Sequence, residues 1–445
     1  MAGIFDPITI KNVRFENRIL RSSVGGRMAA YTGVVTDVWR NFESRFAEGG
    51  VGGIISTTFG INRLRQSPYE YPTLCEDRFV PPLRQRLADI KAGGCKYIIQ
   101  IGDPGSAVQT SLFPERADAM SSSSGFDLLY GYVNRRIAMT EAEIEREIGE
   151  FAAAARRVRE AGADGVEVTA EKGYIIHQFL NPGMNRRRDA WGGTPEKRFR
   201  LLAETIRAVR REVGDDFLLG VRLSAEDYNY LPVQNFIVRF PWAWPPKAHI
   251  MGNDLAQMLA YGRQLKALGV DYLHVTSGYG FINPRVTPGK FPLEEVRIFL
   301  NATRHLSLKG TCRAALLNLI PGVIGRPLFN IGWRYVEGIN LDYAARFRRE
   351  IGLPIIANGG FQARAGIENA LSQEKCDFVS MARALIATPT LVDQFRRGRN
   401  EPERLCTFCN RCAGRTATSP LGCYEPARFA SVQAMQDQIM QLNSP

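Results

Sequence analysis

One unit recurs through this chain: a short apolar, β-branched run, then a stretch with the spacing of an amphipathic helix. The runs lie at Asn17–Val24, Val51–Thr57, Lys96–Ile101, Val166–Thr169, Leu218–Ser224, Tyr272–Thr276, Pro354–Asn358 and Phe378–Met381. Helical stretches separate them at 36–48, 79–91, 141–161, 196–213 and 254–268, and another begins near Leu341. A run apolar on both faces must be covered on both, and strands joined through helices lie parallel. Eight such units close on themselves, so the pattern predicts a (β/α)8 TIM barrel. Thr36 is placed to cap its helix, and Glu141 opens another where the helix dipole favours a negative charge.

Two segments break the rhythm. Asn229–Ile250 contains FPWAWPPK, whose prolines exclude a helix; it reads as a loop on the catalytic face after strand five. Gly278–Tyr335 parts strand six from its helix and holds amphipathic stretches at Leu293–Leu306 and Cys312–Ile320. A connection that long is functional or carries its own small fold, so 278–335 is expected to be an inserted helical subdomain capping the mouth. Residues 5–15 read as a hairpin lid, and Ser121–Ser124 as a short exposed loop. The barrel is assigned residues 1–400, and a Cys-rich extension residues 401–445.

No apolar run reaches the roughly 18–20 residues that span a bilayer, and the N-terminus lacks a basic stretch followed by an apolar core. A cytoplasmic protein without a membrane partner is therefore expected. The net charge of +12 suits solubility, or an anionic ligand such as a nucleotide or acyl-CoA. No basic run is interleaved with aromatics, which argues against nucleic acid. Cys75, Cys95, Cys312 and Cys376 stand apart and are expected to be buried thiols.

In a parallel barrel the site lies where strands end and loops begin. The richest such loop follows strand four, within GVEVTAEKGYIIHQFLNPGMNRRRDAWGG from Gly165 to Gly193; it holds Glu171, Lys172, Tyr174, His177, Gln178, Asn185 and Asp189. GYIIHQFLNPGMNRRRDAWGG is followed by RLLAETIRAVRREVG and VRLS, then by NGGF at Asn358–Phe361 and MARALIATP at Met381–Pro389. Together these resemble the old yellow enzyme family, nearest the flavin barrel of 2,4-dienoyl-CoA reductases and trimethylamine-dehydrogenase-like enzymes. The likeness covers roughly residues 1–429 and thins between about 228 and 345.

The resemblance implies an FMN-dependent oxidoreductase, with NAD(P)H as hydride donor and a small organic substrate, most simply an activated alkene. Asn358, Gly359 and Gly360 directly follow a strand, so backbone amides can point at a phosphate. Ala382 and Arg383 end the next strand, where the guanidinium can pair with that phosphate. Arg222 lies in an otherwise apolar strand and needs a partner; by resemblance it reaches the flavin N1/O2 edge, and Gln100 the pyrimidine edge. Ser23, Val24 and Thr58 match positions that line the ring, while Gly25 stands where relatives carry a side chain that tunes the flavin.

The substrate side departs from the family. A His-x-x-His or His-x-x-Asn pair would clamp a carbonyl, and Thr169 and Lys172 occupy those positions. Tyr174 is the candidate acid and Lys172 a candidate cation for a carbonyl or carboxylate. A second acid, a His in relatives, is replaced by Ile282. His177 is expected to be structural and His274 to lie in the core. Trp242, Trp244, Tyr228 and Tyr279 offer aromatic faces for a cation, or simply pack.

Cys406, Cys409, Cys412 and Cys423 form C-x2-C-x2-C-x10-C. Four thiolates so close in sequence suit a 4Fe-4S cluster, a tetrahedral zinc ion, or neither. In the relatives a 4Fe-4S cluster sits at this place, though their third gap is usually one residue longer. No G-x-G-x-x-G follows a strand near the C-terminus, so a separate electron-transfer protein is expected to serve any cluster. A homo-oligomer is expected. Alternatives to alkene reduction are oxidative N-demethylation of a methylated amine and a flavin-binding subunit without turnover.

Overall fold

The computed structural model describes residues 2–63, 71–108, 119–127, 134–228, 252–280, 283–306, 308–416 and 418–441. A hairpin, β1 (Ile8–Ile10) and β2 (Val13–Phe15), precedes the barrel. The eight barrel strands are β3 (Ile19–Arg21), β4 (Gly53–Gly60), β5 (Lys96–Gly102), β9 (Gly165–Ala170), β10 (Leu218–Ser224), β11 (Tyr272–Thr276), β12 (Ile355–Asn358) and β13 (Phe378–Met381). They pair in that order, all parallel, and β13 closes on β3. A small sheet of β6 (Ala119–Ser121), β7 (Gly125–Asp127) and β8 (Asn134–Ala138) lies between β5 and the next helix.

The helices that cover the barrel are α1 (Asp37–Glu48), α2 (Val80–Lys91), α3 (Glu141–Glu160), α5 (Pro195–Val213), α6 (Leu255–Ala267), α10 (Leu341–Ile351) and α11 (Arg364–Ser372). A short α4 (Ile175–Leu180) follows β9. Local sequence sets their ends. Thr140 and Glu143 form a reciprocal capping box on α3, and Thr194 caps α5 with Pro195 at its first position. Gly214, at φ +70°, ends α5 in a conformation that favours glycine.

Two apolar layers result. One fills the space between strands and helices, around Trp39, Phe42, Ile99, Phe151, Leu202 and Val379. The other plugs the end of the barrel where the strands begin, with hairpin residues Ile10, Val13 and Phe15 packed on Leu20, Ile98 and Phe378. Phe15 meets Phe378 edge-on at 5.0 Å. Above that plug the interior turns polar: Gln100, Glu167, Arg222, His274 and Ser380 are buried on five strands. Gly220 makes room there, because a Cβ would stand 2.0 Å from the Tyr272 ring.

Between β11 and α10 lie α7 (Leu293–Thr303), α8 (Leu308–Asn318) and α9 (Gly322–Phe329). Phe291 fastens this group, stacking on Phe329 at 5.2 Å and meeting Trp333 edge-on. After the barrel come α12 (Arg383–Ala387), α13 (Leu391–Arg396), α14 (Arg411–Arg415) and α15 (Val432–Met440).

Some expectations change. Ser121, Ser122 and Ser123 are buried rather than an exposed loop, because the Ser122 hydroxyl donates to the Gln178 carbonyl and Ser123 accepts from the Arg186 amide. Cys95 and Cys376 are buried, Cys75 is half-buried and Cys312 is exposed. The loop 229–250 with Trp242 and Trp244, and Ile282, fall outside the described residues.

Candidate active site at the strand ends

A cleft of about 1000 Å³, counting space open to solvent, lies at the C-terminal ends of the strands. Ser22, Ser23 and Val24 line it after β3, and Lys172 after β9. Arg222 lines it from β10; Asn358, Gly359 and Gly360 from the end of β12; and Ser380, Ala382 and Arg383 from β13 and its exit. Among the expected site residues, Thr58, Gln100 and Tyr174 are not in its described lining.

Gly359 and Gly360 have φ of +130° and +82°, and a Cβ at Gly359 would approach the Asn340 amide to 3.1 Å. The turn is thus built from bare backbone, the form that admits a phosphate closely. Arg383 donates to the Pro288 carbonyl and the Asn410 side chain, and lies over Phe408 at 4.7 Å. Burial lowers its pKa, while the thiols of Cys412, Cys406 and Cys409 raise it.

Arg222 is 2% exposed. Its Nε pairs with Glu171 at 2.9 Å, and its Nη1 has no hydrogen-bond partner among the described residues. Thr169, its register partner on β9, likewise has a buried hydroxyl without one. An unpaired buried guanidinium N–H costs free energy unless a ligand satisfies it. Burial raises the pKa of Glu171, but Arg222 and Lys172 bring it below the usual range. Lys172 contacts Glu171 at 3.2 Å; burial and the Arg222 charge lower its pKa to about 8. Its backbone is left-handed, at φ +55°.

Behind the cleft runs a buried polar chain. Glu167 accepts from Gln100 Nε2 at 2.6 Å and the Tyr272 hydroxyl at 3.1 Å, and lies 3.1 Å from His274 Nδ1. His274 Nε2 lies 2.9 Å from Ser380 Oγ. Burial lowers the His274 pKa, with Arg222 acting the same way, so the ring is neutral. Burial raises the Glu167 pKa, and the hydrogen bond from His274, the Arg222 charge and the hydrogen bond from Gln100 bring it below its usual value, so the carboxylate is charged. A neutral ring donating from Nδ1 to a carboxylate must accept at Nε2. The Ser380 hydroxyl faces two acceptors, His274 Nε2 at 2.9 Å and the Ala357 carbonyl at 3.4 Å, and lines the cleft. Sequence reading placed His274 in the core without this role, since a strand histidine carries no sign of its partners.

Gln100 turns both ends of its amide to protein, accepting from Ser23 at 2.9 Å and from Thr58 while donating to Glu167. It meets the cleft through Ser23. The volume that a side chain at Gly25 would fill is taken by Tyr71, whose hydroxyl lies 1.9 Å from an added Cβ. His177 is structural in its contacts: it accepts from the Gly173 amide and bonds Asp227 at 2.7 Å, and Asn181 and Asn253 also donate to Asp227. Tyr279 packs on His177 at 4.8 Å, and Tyr228 bonds Tyr343 at 2.6 Å.

The C-terminal segment forms a wall of the cleft. Phe408, Cys412, Thr416 and Leu421 line it, and Tyr335 stacks on Phe408 at 4.1 Å. Cys406, Cys409, Cys412 and Cys423 lie close enough to perturb one another electrostatically, and Arg428 donates to the Cys423 sulfur at 3.2 Å. Burial raises the pKa of Cys406 to about 11 and raises those of Cys409 and Cys412. Among the described residues no group of three or more His, Cys, Asp or Glu side chains is placed to hold a metal ion.

Residues 3–236 match the family described as NADH:flavin oxidoreductase / NADH oxidase. A metal reductase of Desulforamulus reducens is 29% identical over 415 residues, covering 92% of this chain and 51% of the relative. A multifunctional alkene reductase/demethylase of Caballeronia cordobensis is 26% identical over 423 residues, covering 93% and 52%. The chain thus spans about half the length of these relatives. Among solved structures, a 2-naphthoyl-CoA reductase complex superposes with a TM-score of 0.74 at 23% identity, over 95% of this chain and 56% of that one.

Proposed function

The chain belongs to the NADH:flavin oxidoreductase / NADH oxidase family, and on that premise we propose that it is an FMN-dependent oxidoreductase that carries hydride from NAD(P)H to an activated alkene. The observation that supports this reading most is Arg222, a buried guanidinium with an N–H that has no partner among the described residues, in one cleft with the bare glycine turn at Gly359–Gly360. That pairing suits a ligand with a phosphate and an edge that gains negative charge. A bound flavin would accept hydride from the nicotinamide and pass it on.

The chain's own residues supply the rest of the proposal. The amides after Asn358 and the free face of Arg383 hold the phosphate, with Ala382 keeping the approach open. Arg222 stabilises charge at the N1/O2 edge. Ser23 and Val24 wall the ring, backed by Thr58 and Gln100, and Ser380 accepts from a ligand N–H or O–H. Lys172 presents a cation to a substrate carbonyl or carboxylate where the family's histidine pair is missing. Tyr174, at the start of α4, is the proposed proton donor to the alkene. Titration with FMN tests the reading: the wild type should bind and turn yellow, and Arg222→Ala should bind at least about tenfold more weakly. A wild type that stays colourless in excess FMN overturns it.

A second reading rests on the four cysteines beside the cleft: oxidative N-demethylation, with electrons leaving through a cluster to a partner protein. A zinc ion holds its thiolates about 2.3 Å from one centre, whereas in a four-iron cluster each thiolate has its own iron. The Caballeronia relative is named for both activities, alkene reduction and demethylation. A flavin-binding subunit without turnover would bleach with NAD(P)H under argon but reoxidise with neither an enone nor a methylated amine.

A further inference from the structure

The three helices between β11 and α10, with the turn between α8 and α9, carry seven of the twelve large apolar side chains exposed among the described residues. Leu308, Leu316, Leu319, Val323, Ile324 and Leu328 lie on or beside α8 and α9, and Ile298 lies on α7. Leu308 and Val323 are each 82% exposed, and Leu319 77%. Scattered exposed leucines are ordinary, but seven large apolar side chains exposed within one short stretch of chain, Ile298 to Leu328, suit a binding surface.

Charge says what the surface meets. From Val296 to Val336 the sequence has no Asp or Glu, yet it holds Arg297, Arg304, Lys309, Arg313, Arg326 and Arg334. Glu294, just before, pairs with Arg297 and Arg326. Glu295 is buried and faces Arg411 and Arg415. The exposed apolar side chains therefore lie in a stretch of chain whose net charge is positive. A second copy of the chain would set two such faces against each other, and like charges would oppose the contact. A leaflet with anionic headgroups satisfies the apolar and the basic groups together.

We propose that α8 and α9 form a docking surface for an anionic phospholipid bilayer. The contact is peripheral, for no described helix is long and apolar enough to cross a membrane. The surface escapes a search for spanning segments because it is assembled from short runs on two helices.

Flotation of the full chain with phosphatidylcholine vesicles tests this, with and without about one-third phosphatidylglycerol. Binding should need the anionic lipid, weaken in roughly 1 M salt, and fall at least about tenfold in Leu319→Glu/Val323→Glu. Both sites are exposed, so the melting temperature should not move; if it does, Arg304→Glu replaces the pair and should weaken binding about fivefold. No flotation with anionic vesicles overturns the proposal, as does equal binding by a stably folded variant. A concentration-dependent dimer abolished by the variant, or capture of an acidic protein without vesicle binding, also overturns it and reassigns the face.

Discussion

At the scale of single residues, Lys172 is a group whose setting brings its loss of charge close to neutral pH. Burial and the neighbouring Arg222 lower its pKa to about 8, against 10.5 in the open chain. As pH rises through about 8 the ammonium is lost, and with it the proposed anchor for a carbonyl or carboxylate. KM for an enone or dienoyl-CoA substrate should climb across that step while flavin reduction by NAD(P)H stays level. Lys172→Met should flatten the profile at the high-KM value, and Lys172→Arg should hold the low value to higher pH. A step that survives in Lys172→Met belongs to another group. The same shift has a sign for stability: between about 8 and 10.5 the unfolded chain keeps a proton that the folded chain has lost. Stability from this group therefore rises with pH across that window.

At the scale of elements, the joint between β3 and α1 is electrostatic as well as apolar. Arg21 and Glu43 form an ion pair with both side chains fully buried. Arg21 also donates to the Ser22 and Ile55 carbonyls and lies over Phe46 at 5.3 Å. Burial raises the Glu43 pKa more than Arg21 lowers it, so the pair is a costly one that persists because both partners are present. Glu43→Ala leaves a buried cation alone and should destabilise by about 3–5 kcal/mol. The double change Arg21→Met/Glu43→Leu, which removes both charges, should lose much less. Urea denaturation of the three proteins decides it; equal losses in single and double variants would show that packing, not charge, holds the joint.

At the scale of the whole molecule, the far end of the chain completes a cleft begun near residue 22. Phe408, Cys412 and Leu421 wall the space opened by the β3 and β13 ends. Anaerobically purified protein should hold about four iron and four sulfide per chain. Chelating the iron should loosen the wall and weaken FMN binding. One zinc, or no metal in folded anaerobic protein, removes the cluster and the case for an electron-accepting partner.

The barrel was legible in the sequence because each strand and helix carries its own local signal. A β-branched run such as Leu218–Ser224, or a capped amphipathic stretch such as Glu141–Glu160, needs no distant partner to be recognised. The bare turn at Gly359–Gly360 and the lone charge of Arg222 in an apolar strand were legible for the same reason: each breaks its local rule. Only the tertiary structure decided what those residues touch. The Glu167–His274–Ser380 chain joins three strands, and the direction of its hydrogen bonds follows from burial, which no window of sequence contains. Tyr71 occupies the volume left at Gly25 through a contact 46 residues along the chain. Adjacency in sequence determined the elements; closing the barrel brought distant side chains within hydrogen-bonding range, and that decided the chemistry.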